Sequence, residues 1–431
     1  MQVVLATLVR RLLKWNNMLS FKQHIAEASV AGKNVHMQHL EDAVLYGGVN
    51  GTRDAINALR SLRDMLAGNS KGAVDVTVKW DGAPAVFCGI DPSDGAFFVA
   101  KKGIFNKNPK VYKSVADVKA DTSGELADKL SIAYVELKKL GIKNVIQGDL
   151  MFTKGDLKTA TIDGESYVVF QPNTLAYAVP ASSELADKLK AANLGIVFHT
   201  SYNGTSFESM TASYGVDTTK LKKVPSVWYQ DATLHDLSGK ATLTADDTAE
   251  VTAALSTAGK IFQKISSTTL KAIEEDPEFA TTLETYNNSY VRKGQTVTDT
   301  KAHVAGLIAW ATKKFDADIA SKKSEKGQAA AGARKDDYLS FFSDSNRANL
   351  DLMYQLQNAI AAAKLIIIAK LDSLKKINTF VQTSDGYRVT SQEGFVAIDR
   401  LKGGAVKLVD RMTFSKNNFD PNIIKGWQKQ T

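Results

Sequence analysis

Valines alternate with polar residues through "VDVTV" (74–78), and that alternation predicts a half-buried strand. It stops at Lys79-Trp80-Asp81-Gly82-Ala83-Pro84, and apolar residues resume at Ala85, Val86 and Phe87. Up to about residue 235, similar short runs recur between Gly, Asn and Asp turns; "AFFVAKKGIF", "NVIQGDLMF", "SYVVFQP" and "GIVFHTSY" are the clearest. Helical spacing predicts a helix over 50–67, with Ile56, Leu59, Leu62 and Leu66 on one face and Gly68 closing it. Two more helices are expected near 124–140 and 182–193.

After about 243 the pattern turns helical. "TADDTAEVTAALSTAGKIFQKI" opens with a cap, and helices are expected near 267–287, 298–320 and 345–377. The stretch "SKKSEKGQAAAGARKDD" (321–337) has no apolar face, which predicts a linker. Crowded alanines at 359–363 and "KLIIIAK" predict a helix buried on several sides. Strand-like runs return at 378, with "SDG" and "KGG" as turns. The expected fold is therefore α+β, a β-rich body split by an all-α insertion. The expected segments are 1–28, an N-terminal extension; 29–242, the first part of the body; 243–377, the insertion; and 378–431, the second part.

Composition narrows the picture only a little. A length of 431 residues allows two or three domains with their own cores. The net charge of +8 fits a polyanionic partner without requiring one. The single cysteine, Cys88, excludes an internal disulfide and any multi-cysteine metal site; its apolar run predicts a buried, inert thiol. His36 and His39 are the close histidine pair, and no acidic or cysteine partner completes a zinc pattern beside them. No uninterrupted apolar run reaches the roughly 18 residues of a membrane span, so no membrane partner is expected. The opening "MQVVLATLVRRLL" is broken by Arg10 and Arg11 and has no signal-peptide cleavage pattern, so the chain is expected in the cytosol, with Met18 as the native start.

Lys79 carries the candidate chemistry. A lysine amine is nucleophilic only when neutral, and with a pKa near 10.4 only about one in a thousand is neutral near pH 7.4. A site using such an amine needs cations, metal or burial around it, and positive charge for the phosphate it attacks. Further acidic and basic residues at strand edges are what to look for.

They occur in order. Lys79-Trp80-Asp81-Gly82 matches the lysine-x-aspartate-glycine nucleophile motif of the covalent nucleotidyltransferase superfamily, the polynucleotide ligases and messenger-RNA capping enzymes, and the chain resembles that superfamily. "FFVAKKGIF" looks like its next strand, with Lys102 as the basic residue, followed by Gly103. "IQGDLMF" looks like the ribose-gripping motif, with Asp149 in place of glutamate, and Phe170 in "YVVFQP" fits the aromatic that stacks on the base. "QEGFVAI" places Glu393 near metal and phosphate, and "AVKLVDRMTFSK" places Lys407 against the α-phosphate. The matches cover roughly 73–180 and 385–416.

The resemblance implies a ligase-type adenylation domain of two packed antiparallel sheets with flanking helices. It implies catalysis by Lys79, Asp81 and Lys407, and nucleotide binding by Lys79, Gly82, Lys102, Asp149, Phe170, Glu393 and Lys407. ATP and Mg²⁺ are the implied cofactors, with Glu393 holding the ion. Lys79 would attack the α-phosphorus to give lysyl–AMP, and the adenylate would pass to a 5′-phosphate end for sealing to a 3′-hydroxyl. Only 24 residues follow Lys407, too few for the oligonucleotide-binding barrel of DNA ligases and capping enzymes. The RNA-ligase-like branch is expected on that ground, with RNA preferred to DNA as partner.

Two departures stand out. Val409 occupies the place of a second lysine in the last motif, with Arg411 as a possible substitute, and 244 residues separate Asp149 from Glu393. The alternative expectation is thus a non-catalytic virion or nucleic-acid-binding protein that retains the nucleotidyltransferase fold. Less specific roles compete at single positions: a turn residue for Lys79, Lys102 or Asp149, a core aromatic for Phe170, and a solvated charge run for Lys322, Lys323 and Lys326. Finally, "MLSFKQHIAEA" resembles the capsid-targeting peptide of internal head proteins in T-even-like phages. That resemblance implies phage origin, cleavage by a prohead protease between Glu27 and Ala28, and a place inside the virion or, after injection, in the host cytoplasm.

Overall fold

A computed structural model describes residues 39–68, 74–234, 243–374, 377–399 and 405–426. The capsid-targeting-like segment, its cleavage position, Met18 and His36 lie outside the described residues. The architecture is mixed α+β, with three sheets where two were expected.

The alternating valines form β1 (Val74–Lys79), which pairs antiparallel with β13 (Gly394–Asp399), itself paired with β14 (Ala405–Leu408). A second sheet has the order β10 (Val227–Asp231), β8 (Leu194–Asn203), β4 (Val145–Thr153), β2 (Ala85–Ile90), β3 (Phe97–Ala100), with β9 (Thr211–Tyr214) also on β8. Only β10 runs parallel to its neighbour. The third sheet runs β12 (Gly386–Val389), β11 (Asn378–Thr383), β7 (Leu175–Pro180), β6 (Glu165–Phe170), β5 (Lys158–Ile162). Two sheets thus join strands from both ends of the chain, and the small sheet is tied to the large one. The Val78 N–H donates to the Ala232 carbonyl and the Leu234 N–H to the Val76 carbonyl, both at 2.8 Å.

Helix α1 (Gly48–Leu66) buries Ile56, Leu59, Leu62 and Leu66, the face expected from the spacing. Helix α2 (Gly124–Leu137) covers the outer face of the large sheet through Leu130, Ala133 and Leu137. From 245 to 372 only helices occur among the described residues: α3 (Ala245–Phe262), α4 (Ser267–Glu274), α5 (Pro277–Arg292), α6 (Thr300–Ser321), α7 (Glu325–Ser340) and α8 (Asp344–Asp372). A further helix, α9 (Arg411–Phe419), follows β14. The cap on α3 is a reciprocal pair, Thr244 Oγ1 accepting from the Asp247 N–H and Asp247 accepting from the Thr244 N–H.

Two helical expectations need correction. The stretch 267–287 is two helices, because Asp276 caps a new one whose first residue is Pro277. The supposed linker is mostly α7, capped by Ser324 Oγ. Its Ala, Glu, Lys and Gln content favours helix, and α6 supplies partners for its charges: Arg334 pairs with Asp318 at 3.0 Å and Lys335 with Asp316 at 2.5 Å.

The helical segment shares one continuous apolar core with α1, β1 and the inner faces of the β body, including Leu59, Val76, Phe152, Leu283, Leu350 and Phe395. Among the described residues α8 is the one helix long and apolar enough to cross a membrane, yet half of its most apolar window is buried in this core. Cys88 is buried and free, as expected.

Candidate active site

Strand periodicity brings the distant motifs together. Lys79 ends β1 opposite Gly394, and Lys407 on β14 lies opposite Val396, two positions along the same central strand. Directly opposed residues in antiparallel pairs share a face, so Lys79 and Lys407 project from one side of the small sheet. Glu393 immediately precedes β13, and its Oε1 forms an ion pair with the Lys79 amine. Gly394 has φ +153°, and a Cβ there would lie 2.5 Å from both the Leu408 carbonyl oxygen and Val409 Cγ2, so only glycine lets β14 approach.

These charges shift one another. Burial pulls the Lys79 amine down, but Glu393, Asp149 and Asp81 outweigh it, and the net shift is upward. Burial drives the Glu393 carboxyl up to about 7 against the pull of Lys79. Lys407 is lowered, first by burial and then by the neighbouring Lys79 charge. The site therefore holds a protonated amine, a carboxyl that titrates near neutrality and a second amine held below its ordinary value.

Asp81, expected among the catalytic groups, has both its oxygens taken by hydrogen bonds in this structure. Oδ1 accepts from Asn173 Nδ2 at 2.8 Å, and Oδ2 accepts from the Thr174 and Leu175 N–H groups, each at 2.7 Å. It clamps the loop after β1 to the start of β7, and its own N–H donates to the Tyr177 hydroxyl at 2.7 Å. Gly82 keeps that loop flat on β4, since a Cβ there would lie 2.5 Å from Asp149 Cβ and 3.2 Å from the Leu150 carbonyl oxygen.

The remaining expected residues divide. Asp149, central in the large sheet, is partly exposed, faces His199 Nε2 at 3.7 Å, and contributes to the field on Lys79. Phe170 does not offer a face to a base. It is 1 % exposed, stacked on Tyr177 at 5.4 Å and packed against Phe152 at 5.0 Å, a core role dictated by its position on the inward side of β6. Lys102 is exposed on the turn Lys102–Phe105 after β3, an edge strand, and no contact joins it to the lysine pair. Arg411 does not replace the missing lysine: it turns away to pair with Asp42 and, at 3.7 Å, with Glu41. Val409 is fully buried against Gly394.

The structure adds residues that motif matching missed. Glu41 accepts from Lys364 Nζ at 2.6 Å, with both side chains buried, and the His39 backbone bridges Lys407. Burial raises Glu41, but Lys364 and Arg411 outweigh it and hold the carboxylate down at about 2; burial keeps His39 neutral, lowered to about 2. This network ties the segment before α1, helix α8 and the start of α9 behind Lys407. Its only sequence signal was charge inside apolar runs, "HLEDAVLY" and "AAAKLIIIAK".

Beside Glu393 a small cleft opens between Asp81, Thr174, Gln392, Asp410 and Asn417, with Leu175, Ile368 and Phe414 also on its wall; Lys79 and Lys407 do not line it. Glu393 Oε2 and Gln392 Oε1 are buried there without a hydrogen-bond partner, as is Asn173 Oδ1 beside Asp81. Unpartnered buried oxygens are costly unless a ligand completes them. Their chemistry suits a cation or a group rich in N–H and O–H donors. Among the described residues no group of three or more His, Cys, Asp or Glu converges, so Glu393 fits Mg²⁺ only where phosphate and water oxygens fill the rest of the shell.

Fold and site together define an α+β protein whose two ends meet at a lysine–glutamate–lysine cluster beside an acceptor-rich cleft. The chain belongs to a family of unknown function, DUF6267, whose model matches residues 34–423. No curated protein and no solved structure matches it.

Proposed function

We propose that this chain is an ATP-dependent polynucleotide ligase of the RNA-ligase kind, with a ligase-type adenylation domain interrupted by the helical segment. The observation that carries the proposal is the convergence of Lys79, Glu393 and Lys407, up to 328 positions apart in sequence, on one end of a three-stranded sheet.

In the first step the Lys79 nitrogen attacks the α-phosphorus of ATP; a P–N bond forms and the bond to pyrophosphate oxygen breaks. The amine must first lose a proton, and Glu393, in contact with it and titrating near 7, is placed to take it. Lys407 offsets charge gathering on the phosphoryl oxygens from the same face. Mg²⁺, when bound, would neutralise phosphate charge through phosphate and water oxygens, with Glu393 reaching it through one of those waters. In the second step an oxygen of a 5′-phosphate end attacks the adenylate phosphorus, the P–N bond breaks and Lys79 is reprotonated. In the third a 3′-hydroxyl attacks that 5′-phosphorus, its proton leaves, and AMP departs.

Incubation with α-labelled ATP and Mg²⁺ tests this. A protein-bound label, acid-labile and alkali-stable, that is absent from Lys79→Ala is the expected result; GTP in a parallel arm reports base preference. A second proposal has its own observation: with Val409 buried and Arg411 paired to Asp42, the last motif offers the site one lysine instead of two. On that alternative the chain binds nucleotide or nucleic acid without turnover. Nucleotide binding by calorimetry without any label would select it.

We propose further that the protein travels inside a phage head, on the strength of the residues 18–27 alone. Mass spectrometry of virions should then find a chain beginning at Ala28. A chain retaining Met18, or none, would reject that location.

A further inference from the structure

Two lysine runs that lie about 80 positions apart meet on the back of the large sheet. Lys138, Lys139 and Lys143 follow α2, Lys220, Lys222 and Lys223 precede β10, and all six are exposed. The Lys222 N–H donates to the Leu140 carbonyl at 3.0 Å, and the Lys222 side chain runs within 3.3 Å of a Cβ position on Gly141. Leu140 and Ile142 on one run, and Leu221 and Val224 on the other, pack into the core beneath α2, so the lysines stand on fixed backbone.

Much of the charge in the other basic stretches is paired, although among the described residues Lys102, Lys107, Lys323 and Lys326 also lack a carboxylate partner; what sets this surface apart is that two runs of lysines meet on fixed backbone. Lys101, Lys110 and Lys113 face Asp121, Asp91 and Asp94; Lys322, Arg334 and Lys335 face Asp318 and Asp316. Here Lys139 pairs with Glu136 at 2.8 Å and Lys220 with Asp217 at 3.1 Å. Among the described residues no carboxylate pairs with Lys138, Lys143, Lys222 or Lys223. Four uncompensated ammonium groups on a rigid base raise the local positive potential and attract a polyanion. Val135 is the large apolar side chain exposed beside them, which is too little for insertion into lipid and favours a phosphate backbone.

We propose that this surface, Lys138, Lys139, Lys143, Lys220, Lys222 and Lys223, grips the phosphate backbone of a nucleic acid. It deepens the ligase proposal and rests on it for the identity of the substrate, since β4 leads from this surface toward the site. Lys143 and Asp149 are six residues apart, about 20 Å at the strand rise, or roughly six base-pair steps of a duplex. Contacts of this kind would be to phosphate and would carry no sequence preference.

Fluorescence anisotropy of the full chain with labelled RNA and DNA oligonucleotides of about 20 nucleotides, between about 50 and 200 mM salt, tests it. Lys138→Glu/Lys143→Glu/Lys222→Glu/Lys223→Glu should weaken binding by at least about tenfold and flatten the slope of log affinity against log salt by about 3. The Lys→Gln version should lose less, and Lys322→Glu/Lys323→Glu/Lys326→Glu should leave binding intact. Self-labelling of Lys79 should survive in all of them and reports the folded state independently of this surface. Unchanged affinity in both quadruple variants overturns the proposal, as does equal loss in the control. So does binding of the wild type to phosphatidylserine vesicles through these lysines but not to oligonucleotides. Oligonucleotide binding through these lysines without any label on Lys79 would leave this surface standing and remove the ligase proposal.

Discussion

Lys79 stays charged in the free protein because a carboxylate faces it across the sheet, and that pairing sets its pH behaviour. Nucleotidyl transfer needs a neutral amine and an ionised acceptor, and both become more abundant as pH rises. The rate of self-labelling should therefore climb with pH through about 7, where Glu393 ionises, and keep climbing above it. Glu393→Gln should remove the step near 7 and lower the rate by about a hundredfold to ten-thousandfold, as read from single-turnover labelling. The same carboxyl affects stability. Its folded value is raised above the unfolded one, near 4.5, so its contribution is full below that pH and is lost as pH rises through about 7. Urea midpoints measured across that window should fall less steeply for Glu393→Gln than for the wild type. Val409 makes the complementary point: Val409→Lys, which would restore the motif on paper, places an unpaired ammonium in a fully buried position. It should cost several kcal/mol, about 3 or more, and raise labelling not at all.

Among elements, α7 shows how a helix without an apolar stripe still forms. Only Ala331 is fully buried on it, and its order rests on good intrinsic propensity, the Ser324 cap, the ion pairs to α6 and, at its C-terminal end, half-buried Leu339 and the Tyr338 ring packed on Phe279 and Phe315. Ser324→Ala should cost about 1 kcal/mol locally, visible as faster amide exchange in α7 with little change elsewhere. The small sheet depends instead on close approach. Gly394→Ala would strain a positive φ and push on Leu408, displacing Lys407 from Lys79.

At the scale of the molecule, the helical segment is built into the site rather than hung from it. Lys364 on α8 and Glu41 before α1 are buried together, and Arg411 after β14 pairs with Asp42. Removing one partner of such a pair strands a charge in the core, so Lys364→Met should cost about 3–5 kcal/mol in chemical unfolding. Lys364→Met with Glu41→Leu should recover much of that loss, because an apolar pair of similar volume avoids the desolvation of both ions. Recovery of stability without recovery of labelling would separate the network's structural part from its effect on Lys407.

Periodicity in the chain by itself determined most strands of the β body, the helical character after 243, the apolar face of α1 and the buried Cys88, because each depends on neighbours a few residues away. The motif matches also singled out Lys79, Glu393 and Lys407, which the fold brings together. Tertiary structure alone decided which residues meet. It closed Phe170 into the core, occupied both oxygens of Asp81 and turned Arg411 toward Asp42. It also placed Lys364 beside Glu41, 323 positions away. Side-chain partners at that range are chosen by packing and by the cost of burying charge, and neither leaves a period in the sequence.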